Sequence, residues 1–322
     1  MQSIYWVISR DCNQRCAHCY NDSEPGAPGL TLEDATRCVA HLPDPDDVPV
    51  DWIILSGGEP LVWPELLFHA LAELYAKYGE RTRLWVQTNG DLLDEATLQR
   101  LLDHHVARVD VASQDRFHHR ESLRRAGMLE AMFRAHGMVP FGEVEGAGLA
   151  PGAPTAYAFW GANPEEWIGP LWPRGRARRR NLTKSTPDDR FCALWSGAKG
   201  FLDYRAPGSE VNIQLADVYP CCIMTAAPIG NLLKHSLTDI LDRCAAHPVF
   251  RALNEGRPEA MGETLGISEA EGEARTQALG NHCLWCDEFF LKYARELLDW
   301  EGMTARGDVD LPQAGPGVRA AG

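Results

Sequence analysis

The chain has 322 residues, of which 45% are hydrophobic and 24% charged, which supports one large globular domain plus a small one. Asp and Glu (45) outnumber Lys and Arg (31), and the net charge of -14 disfavours nucleic acid and anionic membranes as partners. No apolar stretch reaches the length of a membrane span, and the first residues are typical of a buried strand rather than a signal peptide, so we expect a cytoplasmic protein.

Ten cysteines occur in this chain. In a reducing compartment, thiolates bind metals or do redox chemistry more often than they form disulfides. Cys38 stands alone on a predicted helix and is expected to lie in the core. The others form a front group and a back group: Cys12, Cys16 and Cys19, and Cys192, Cys221, Cys222, Cys244, Cys283 and Cys286.

Apolar runs rich in β-formers alternate with helical patterns over the first 145 residues, which predicts parallel strands joined by helical crossovers. The predicted strands are 4–9, 51–55, 82–88, 107–112 and 138–144, and the predicted helices lie near 31–42, 63–79, 93–104 and 120–135. Thr31 precedes the acidic "LED" and is expected to begin the first helix, because acidic residues complement the helix dipole there.

The second half of the chain has a different character. Residues 145–189 are rich in Gly, Pro and Arg and are predicted to be a connecting region with one strand candidate, "TAYAFW". The elements expected beyond it are a β-hairpin, a helix at 236–246, an acidic segment at 254–281 and a final helix after "CLWC". The predicted domains are a core at 1–185, an auxiliary domain at 186–300 and a disordered tail at 301–322.

The stretch "RDCNQRCAHCYND" crowds Cys12, Cys16 and Cys19 into eight residues after the first predicted strand. Three thiolates are one short of what a tetrahedral zinc ion or a closed iron-sulfur cluster takes. Spacing alone leaves open a zinc site that takes its fourth ligand from His18 or a remote residue, and it also leaves open plain core cysteines.

The CxxxCxxC spacing resembles that of the radical SAM superfamily. The resemblance implies an α/β fold, a partial (β/α)6 TIM-like barrel, here followed by a small α+β auxiliary domain. It implies that the three cysteines hold a 4Fe-4S cluster whose open iron binds S-adenosylmethionine. The reduced cluster then cleaves this cofactor to a 5'-deoxyadenosyl radical, which takes a hydrogen atom from the substrate. His18 occupies the aromatic position of the motif and is expected beside the adenine.

A second motif, "LSGGEPLVWP", matches the GGEP of the same family at Gly57, Gly58, Glu59 and Pro60. Glycines let a backbone approach a ligand closely, and a carboxylate accepts hydrogen bonds from an ammonium group. By resemblance, this segment binds the amino group of S-adenosylmethionine. A plain glycine turn is the ordinary alternative, but its position one βα unit after CxxxCxxC favours cofactor binding.

Two further strand ends and one arginine resemble cofactor-binding positions. Asn89 in "WVQTNGDLL" is expected over the cofactor, and Ser113 in "VASQD" is expected to meet its carboxylate or ribose, with Asp115, His118 and His119 as weaker candidates. Strand ends in a parallel barrel are polar in any case. Residues 173–177, "PRGRA", resemble a segment of relatives with an extra cluster domain. Arg176 is predicted to be functional there, and the neighbouring arginines are expected to be solvated.

The back cysteines resemble the SPASM and Twitch extensions of radical SAM enzymes. The resemblance implies a second, closed 4Fe-4S cluster ligated by Cys192, Cys221, Cys283 and Cys286, which would transfer electrons or anchor the fold. A zinc ribbon with the same four ligands stays open, since C-x-x-C with two distant cysteines fits it too. Cys222 and Cys244 are expected to be small core residues, although either can replace one of the four.

The expected function is a dehydrogenase-type oxidation or a related modification of a small molecule, with a reductant such as flavodoxin or ferredoxin. The alternatives are a maturase that crosslinks, epimerises or oxidises a peptide, and a non-enzymatic iron-sulfur or zinc protein. The few residues before Cys12 leave no room for an amino-terminal peptide-recognition domain, which favours the small molecule. Residues 143–180 are expected to decide the substrate, and no catalytic base is assigned.

Overall fold

The computed structural model describes residues 1–112, 117–118, 120–150, 152–161, 171–193 and 197–297. Its strands are β1 (Ser3–Ser9), β2 (Trp52–Gly57), β3 (Arg83–Thr88), β4 (Val106–Ala112), β5 (Val139–Pro140), β6 (Ala156–Trp160), β7 (Glu210–Gln214), β8 (Asp217–Tyr219) and β9 (Gly230–Asn231). Its α-helices are α1 (Leu32–His41), α2 (Pro64–Tyr78), α3 (Glu95–Asp103), α4 (Arg120–Ala135), α5 (Gly175–Arg179), α6 (Leu237–Ala245), α7 (Pro248–Asn254), α8 (Glu269–Leu279) and α9 (His282–Leu297).

One sheet joins all the strands, in the order β5-β6-β4-β3-β2-β1-β7-β8-β9. The neighbours from β5 to β7 pair in parallel, whereas β7, β8 and β9 form an antiparallel edge. Because parallel strands need crossovers, α1, α2 and α3 each connect two of them. The predicted α/β class with a partial barrel is confirmed, and the sheet does not close. In the described part of the chain, no helix is both long and apolar enough to cross a membrane.

The two faces of β1 show why the sheet has an outside and an inside. Ile4, Trp6 and Ile8 are fully buried in the main core, which the helices cover. Tyr5 points to the opposite face, since successive side chains alternate. There it packs with Trp52 and Trp85 from β2 and β3. This inner face is the lumen of the open barrel.

The first helices begin where the sequence predicts them. Thr31 caps α1 by accepting a hydrogen bond from Asp34 N, with Glu33 and Asp34 in the first turn. Asp94 caps α3 in the same way by accepting from Thr97 N, and Pro64 opens α2.

The predicted strand at 138–144 is wrong for most of its length. Only Val139 and Pro140 pair, and a 3-10 helix, Phe141–Glu143, follows directly. Proline has no N–H to donate, so it stands at a sheet edge or a strand end. The strand candidate "TAYAFW" forms β6 and lies between β4 and β5 in the sheet.

The carboxyl-terminal elements depart from the expectation in two places. The acidic segment at 254–281 contains α8, which Ser268 and Glu271 begin with a capping box. The last helix, α9, starts before "CLWC" and includes it.

The sheet continues across the predicted boundary at residue 185, because β7 pairs in parallel with β1. The division into a core and an auxiliary domain stays a prediction, and the predicted tail at 301–322 lies outside the described residues.

Two helical glycines predict opposite stability effects. A Cβ on Gly272 in α8 would lie 2.1 Å from the carbonyl oxygen of Glu259, whereas one on Gly127 in α4 would meet nothing within 4 Å. We expect Gly272→Ala to destabilise the protein by about 1–3 kcal/mol through overpacking. Gly127→Ala should stabilise it by up to about 1 kcal/mol, because alanine favours the helix. Anaerobic thermal unfolding of both variants tests this, and equal Tm shifts would contradict the tight helix contact.

Candidate active site

A cavity of about 380 Å³ lies at the carboxyl ends of the central strands and extends into the lumen. The front thiols Cys12, Cys16 and Cys19 all line it, together with Gly57 and Gly58. Further predicted residues in its wall are His18, Asn89 and Arg176. The fold therefore brings together residues that are up to 164 positions apart in the chain, from Cys12 to Arg176.

The cysteine loop, residues 10–24, follows β1 and is held by its own polar contacts. Gln14 N donates to Cys12 Sγ at 3.3 Å, and Cys16 Sγ donates to Gln14 Oε1 at 3.0 Å. Burial raises the pKa of Cys12 to about 12. A thiolate at this position therefore needs a bound cation to form at neutral pH.

The glycine pair packs against the cysteine loop. Gly58 N donates to Ser9 O and Glu59 N donates to Asp11 O, both at 2.8 Å. A Cβ on Gly58 would lie 2.3 Å from Asp11 O, so no other residue fits without moving the loop. These glycines are predicted to let a ligand approach the backbone closely. The structure shows that the backbone of the cysteine loop approaches them closely as well.

Glu59 is fully buried, and both of its carboxylate oxygens are already used. Oε1 accepts from Thr88 Oγ1 at 2.8 Å and from Leu61 N at 3.0 Å, and Oε2 accepts from Asn89 N at 2.6 Å. Burial raises its pKa to about 7, against the effect of these donors. Neither Glu59 nor Pro60 lines the cavity. Contact of these two residues with the cofactor stays a prediction, and in this structure Glu59 positions the end of β3.

Asn89 connects that strand end to the cysteine loop. Its Nδ2 donates to Asn13 Oδ1 at 2.8 Å, and its Oδ1 accepts from Asp91 N at 3.0 Å. Asp91 Oδ2 in turn accepts from Gln14 Nε2. Gln14 and Asp91 are not predicted from the sequence, because a contact between residues 77 positions apart produces no local sequence pattern.

Arg176 holds the other side of the cysteine loop. It is 6% exposed, and its Nε donates to Cys16 O at 2.9 Å while its backbone N donates to Cys19 O at 2.9 Å. Gly175, at φ +56°, lets this contact form, because a Cβ there would lie 2.4 Å from Tyr20 O. The structure therefore gives Arg176 a positioning role in addition to its place in the cavity wall.

His18 packs in a small aromatic cluster at the cavity wall. Its ring centroid lies 5.3 Å from that of Phe117 and 4.6 Å from that of His118. Donor atoms of Cys16, His18 and His118 all lie within 4.8 Å of one another, a set that a zinc ion could also use. Ser113, Asp115 and His119, which the sequence analysis also named, lie outside the described residues.

Of the four predicted back cysteines, Cys221 and Cys283 pack against the same small core cluster, which contains Phe191 and Cys222. Burial raises the pKa of Cys192 and Cys283, and Cys221 adds to both shifts. The predicted ligand set is Cys192, Cys221, Cys283 and Cys286. Burial is the larger cause in each case. Gly197 packs tightly here, since a Cβ would lie 2.2 Å from Phe191 O.

A buried ion pair lies beside the back thiols. Arg174 NH2 donates to Asp287 Oδ1 at 2.6 Å, and the guanidinium lowers the pKa of Cys221 and Cys283. Of the other cysteines, Cys38 and Cys244 are buried in helices of the core, as expected. Cys222 is buried in a smaller core cluster, as expected, and also lines the front cavity.

The lumen below the cysteine loop carries a layer of polar side chains that the sequence analysis missed. Tyr5 OH donates to Ser56 Oγ at 2.7 Å and lies 3.0 Å from Gln87 Oε1. These positions alternate with core residues along each strand, so period-two polarity was the available signal.

A buried pair on β4 extends this layer. Arg108 donates to Asp110 through two bonds of 2.7 and 3.0 Å, and Trp160 Nε1 donates to the same carboxylate at 2.6 Å. The guanidinium lies 3.7 Å from the ring centroid of Trp85 and 3.4 Å from that of Phe141. Burial raises the pKa of Asp110 to about 6, although Arg108 lowers it. Asp110 is thus saturated by protein donors.

Glu210 is the second carboxylate of the lumen. Ser3 Oγ donates to its Oε2 at 2.7 Å, and no ion pair within the described part of the chain involves it. Asn212 and Gln214 share its face of β7, and each keeps one buried polar atom without a hydrogen-bond partner.

Comparisons with known proteins identify the class of this site. Residues 6–138 match the model of the radical SAM superfamily. The chain carries a radical SAM domain over this range, and it is an enzyme with S-adenosylmethionine and a 4Fe-4S cluster as cofactors. No curated protein matches the sequence significantly.

Solved structures align with this chain at low sequence identity. BtrN in complex with AdoMet and 2-DOIA aligns with a TM-score of 0.51 and 17% identity, over 81% of this chain and 90% of BtrN. The anSMEcpe structure with bound AdoMet aligns at 0.48 and 13%, over 93% and 98% of the two chains. Streptococcus suis SuiB bound to precursor peptide SuiA aligns at 0.39 and 12%, over 78% and 66%. These identities bear on the fold alone.

The contact between Gly58 and the cysteine loop predicts that alanine at this position displaces the loop. We expect Gly58→Ala to lose the front cluster, about four irons per chain, while keeping its secondary structure. Gly142→Ala is the matched control, because a Cβ there meets nothing within 4 Å. Iron analysis and circular dichroism of both variants give the answer, and full iron content in Gly58→Ala would contradict the steric constraint.

Burial of Glu210 predicts a pH-dependent stability. Its pKa is raised from 4.5 to about 7, so the stability that the protonated group allows is present below pH 4.5 and is lost as the pH rises through about 7. The neutral variant Glu210→Gln should therefore gain Tm over the wild type progressively from about pH 5 to about pH 8. Thermal unfolding of both proteins across this range measures the difference. A Tm difference that does not change with pH would argue against a buried carboxyl group.

Proposed function

We propose that this enzyme oxidises a polar small molecule by a dehydrogenase-type reaction that starts from cleavage of S-adenosylmethionine. The observation that carries the proposal is the joining of two features in one cavity. Cys12, Cys16 and Cys19 line its upper end, and the polar layer of Tyr5 and Asp110 lines the lumen below. Cavities of this volume are of the size that holds small ligands.

The front residues fit the cofactors that we assign to them. Cys12, Cys16 and Cys19 would hold the cluster, and Gly57 and Gly58 present main chain to the same cavity. When bound, the reduced cluster supplies the electron that cleaves S-adenosylmethionine to a 5'-deoxyadenosyl radical, which takes a hydrogen atom from the substrate. His18, Asn89 and Arg176 line the same space, and we propose that they contact the cofactor. Ser113 remains a proposal from sequence.

The lumen supports a substrate with several hydrogen-bonding groups. Tyr5, Ser56, Gln87 and Glu210 line the cavity with polar side chains. A polar ligand would hydrogen-bond to these groups, whereas an apolar one would bury them without new partners. Glu210 adds an acceptor that no described cation neutralises, so it suits a hydroxyl or ammonium group of the substrate.

The back thiols support a second cluster at the auxiliary site. Four buried or half-buried cysteines, with Arg174 near Cys221 and Cys283, have the number and type of ligands that a closed cluster takes. The neighbours Cys221 and Cys222 connect the two sites, because Cys221 belongs to the auxiliary set and Cys222 lines the front cavity. A cluster there would be placed to accept the second electron of the oxidation. A flavodoxin or ferredoxin is the proposed external reductant.

Two cysteine variants separate the roles of the two sites. The reconstituted, reduced wild type should contain about eight irons per chain and cleave S-adenosylmethionine to 5'-deoxyadenosine. Changing Cys12, Cys16 and Cys19 together to Ala should leave about four irons and abolish cleavage. Cys283→Ala with Cys286→Ala should also leave about four irons but keep cleavage. Cys38→Ala is the control, because this buried thiol on α1 belongs to neither site.

Product and metal analysis then decide between the candidate reactions. Transfer of deuterium from a labelled alcohol into 5'-deoxyadenosine, with a carbonyl product, supports the oxidation. A redox-neutral or crosslinked peptide product would contradict the small-molecule oxidation and support peptide maturation instead. A wild type that holds only zinc and cleaves nothing would refute the proposal for the front site.

A further inference from the structure

Three metal-ligating side chains meet at a point outside the cavity. Glu259 lies in the 3-10 helix Pro258–Ala260, Glu273 lies on α8, and His282 is the first residue of α9. One ligand atom from each lies within 4.8 Å of the other two. Neither the radical SAM domain at 6–138 nor the four back thiols include these residues.

The spacing of these atoms differs from that of a hydrogen bond. His282 Nε2 lies 3.5 Å from Glu259 Oε2 and 3.6 Å from Glu273 Oε2. Hydrogen bonds between nitrogen and oxygen are shorter, about 2.7–3.2 Å. Two ligands of a tetrahedral zinc ion at about 2.1 Å from the metal are separated by about 3.4 Å. The observed distances are longer than hydrogen bonds and match the separation of two ligands on one zinc ion.

The ligand atoms are also buried without partners. Glu259 is 5% exposed and His282 is 2% exposed, and Glu259 Oε2 and both ring nitrogens of His282 have no hydrogen bond. Arg190 donates to the other oxygen of Glu259, Oε1, at 3.0 Å, and its NH2 lies 3.9 Å from Glu273 Oε2. The arginine thus orients the carboxylate and leaves Oε2 directed at His282.

We propose that Glu259, Glu273 and His282 bind a divalent cation of the zinc class, with water in the fourth position. One imidazole and two carboxylates are ligands that zinc accepts. The ion would link the 3-10 helix Pro258–Ala260, α8 and α9, which follow one another in the chain. Because α9 carries Cys283 and Cys286, the ion fixes the helix start that presents these thiols to the auxiliary site. This inference is independent of the oxidation proposed above.

The test is zinc binding to the cluster-loaded protein. After chelator treatment and confirmation of the iron content, the wild type is titrated with Zn²⁺ by calorimetry and its Tm is recorded with and without the ion. We expect one tight Zn²⁺ per chain and a higher Tm, with affinity at least about 10-fold lower in His282→Gln and Glu273→Gln. Glu269→Gln is the matched control on α8, because Glu269 pairs with Arg257 instead. It should bind like the wild type.

Two results would overturn the proposal: no zinc binding by the wild type, or unchanged binding in both ligand variants. The second would mean that zinc occupies another site, such as thiols left without a cluster. His282 is deeply buried, so Glu273→Gln supplies a milder variant whose side chain is 39% exposed. Unchanged circular dichroism and iron content in that variant show that lost zinc binding is not lost folding. Because the readout is zinc and Tm, failure of the oxidation assay leaves this result unaffected.

Discussion

The contact on which the rest of the site depends is the close approach of the glycine turn to the cysteine loop. Main chain meets main chain at Gly58 and Asp11, with no space for a Cβ. On the opposite side, Gly175 approaches Tyr20 as closely, and Arg176 donates to three carbonyl oxygens of the loop, those of Cys16, Cys19 and Ser23. A loop without regular secondary structure is thereby fixed from both sides, so its three thiols can face one cavity.

The buried carboxylates of this protein have different roles because their partners differ. Glu59 is saturated by Thr88 and two backbone N–H groups and holds the turn beside the cofactor site. Asp110 is saturated by Arg108 and Trp160 and stiffens the wall of the lumen. Among the described residues, Ser3 is the one hydrogen-bond donor seen at Glu210, so this carboxylate keeps accepting capacity toward the cavity. Burial raises the pKa of all three, and the donors decide which one can meet a substrate.

Most helices and strands of the first half follow from local pattern. Thr31 and Asp94 each cap a helix by accepting a hydrogen bond from the residue three positions later. The neighbouring sequence is therefore enough to predict both helix starts. The predicted strand at 138–144 is too long, because an apolar run does not indicate that strand pairing ends at Pro140. The position of β6 between β4 and β5 is a matter of long-range pairing, which periodicity does not encode. The polar layer on the inner face of the strands is not predicted either. Alternating polar and apolar residues indicate that a strand has two faces, but not which face lines a cavity.

The sequence by itself predicted the chemistry of the front site, because CxxxCxxC followed by GGEP indicates the ligand type and the radical SAM domain that residues 6–138 match. It also predicted four back thiols as a second ligand set. Only the tertiary structure decided that Glu59 positions a strand end and that Arg176 clamps the cysteine loop. It alone placed Cys222 in the front cavity and brought Glu259 to His282. The type of metal ligand depends on residue type and short spacing, and both can be read from neighbouring positions in the sequence. The partner of a buried polar atom depends on which distant backbone lies next to it, and that is set only when the sheet and helices pack.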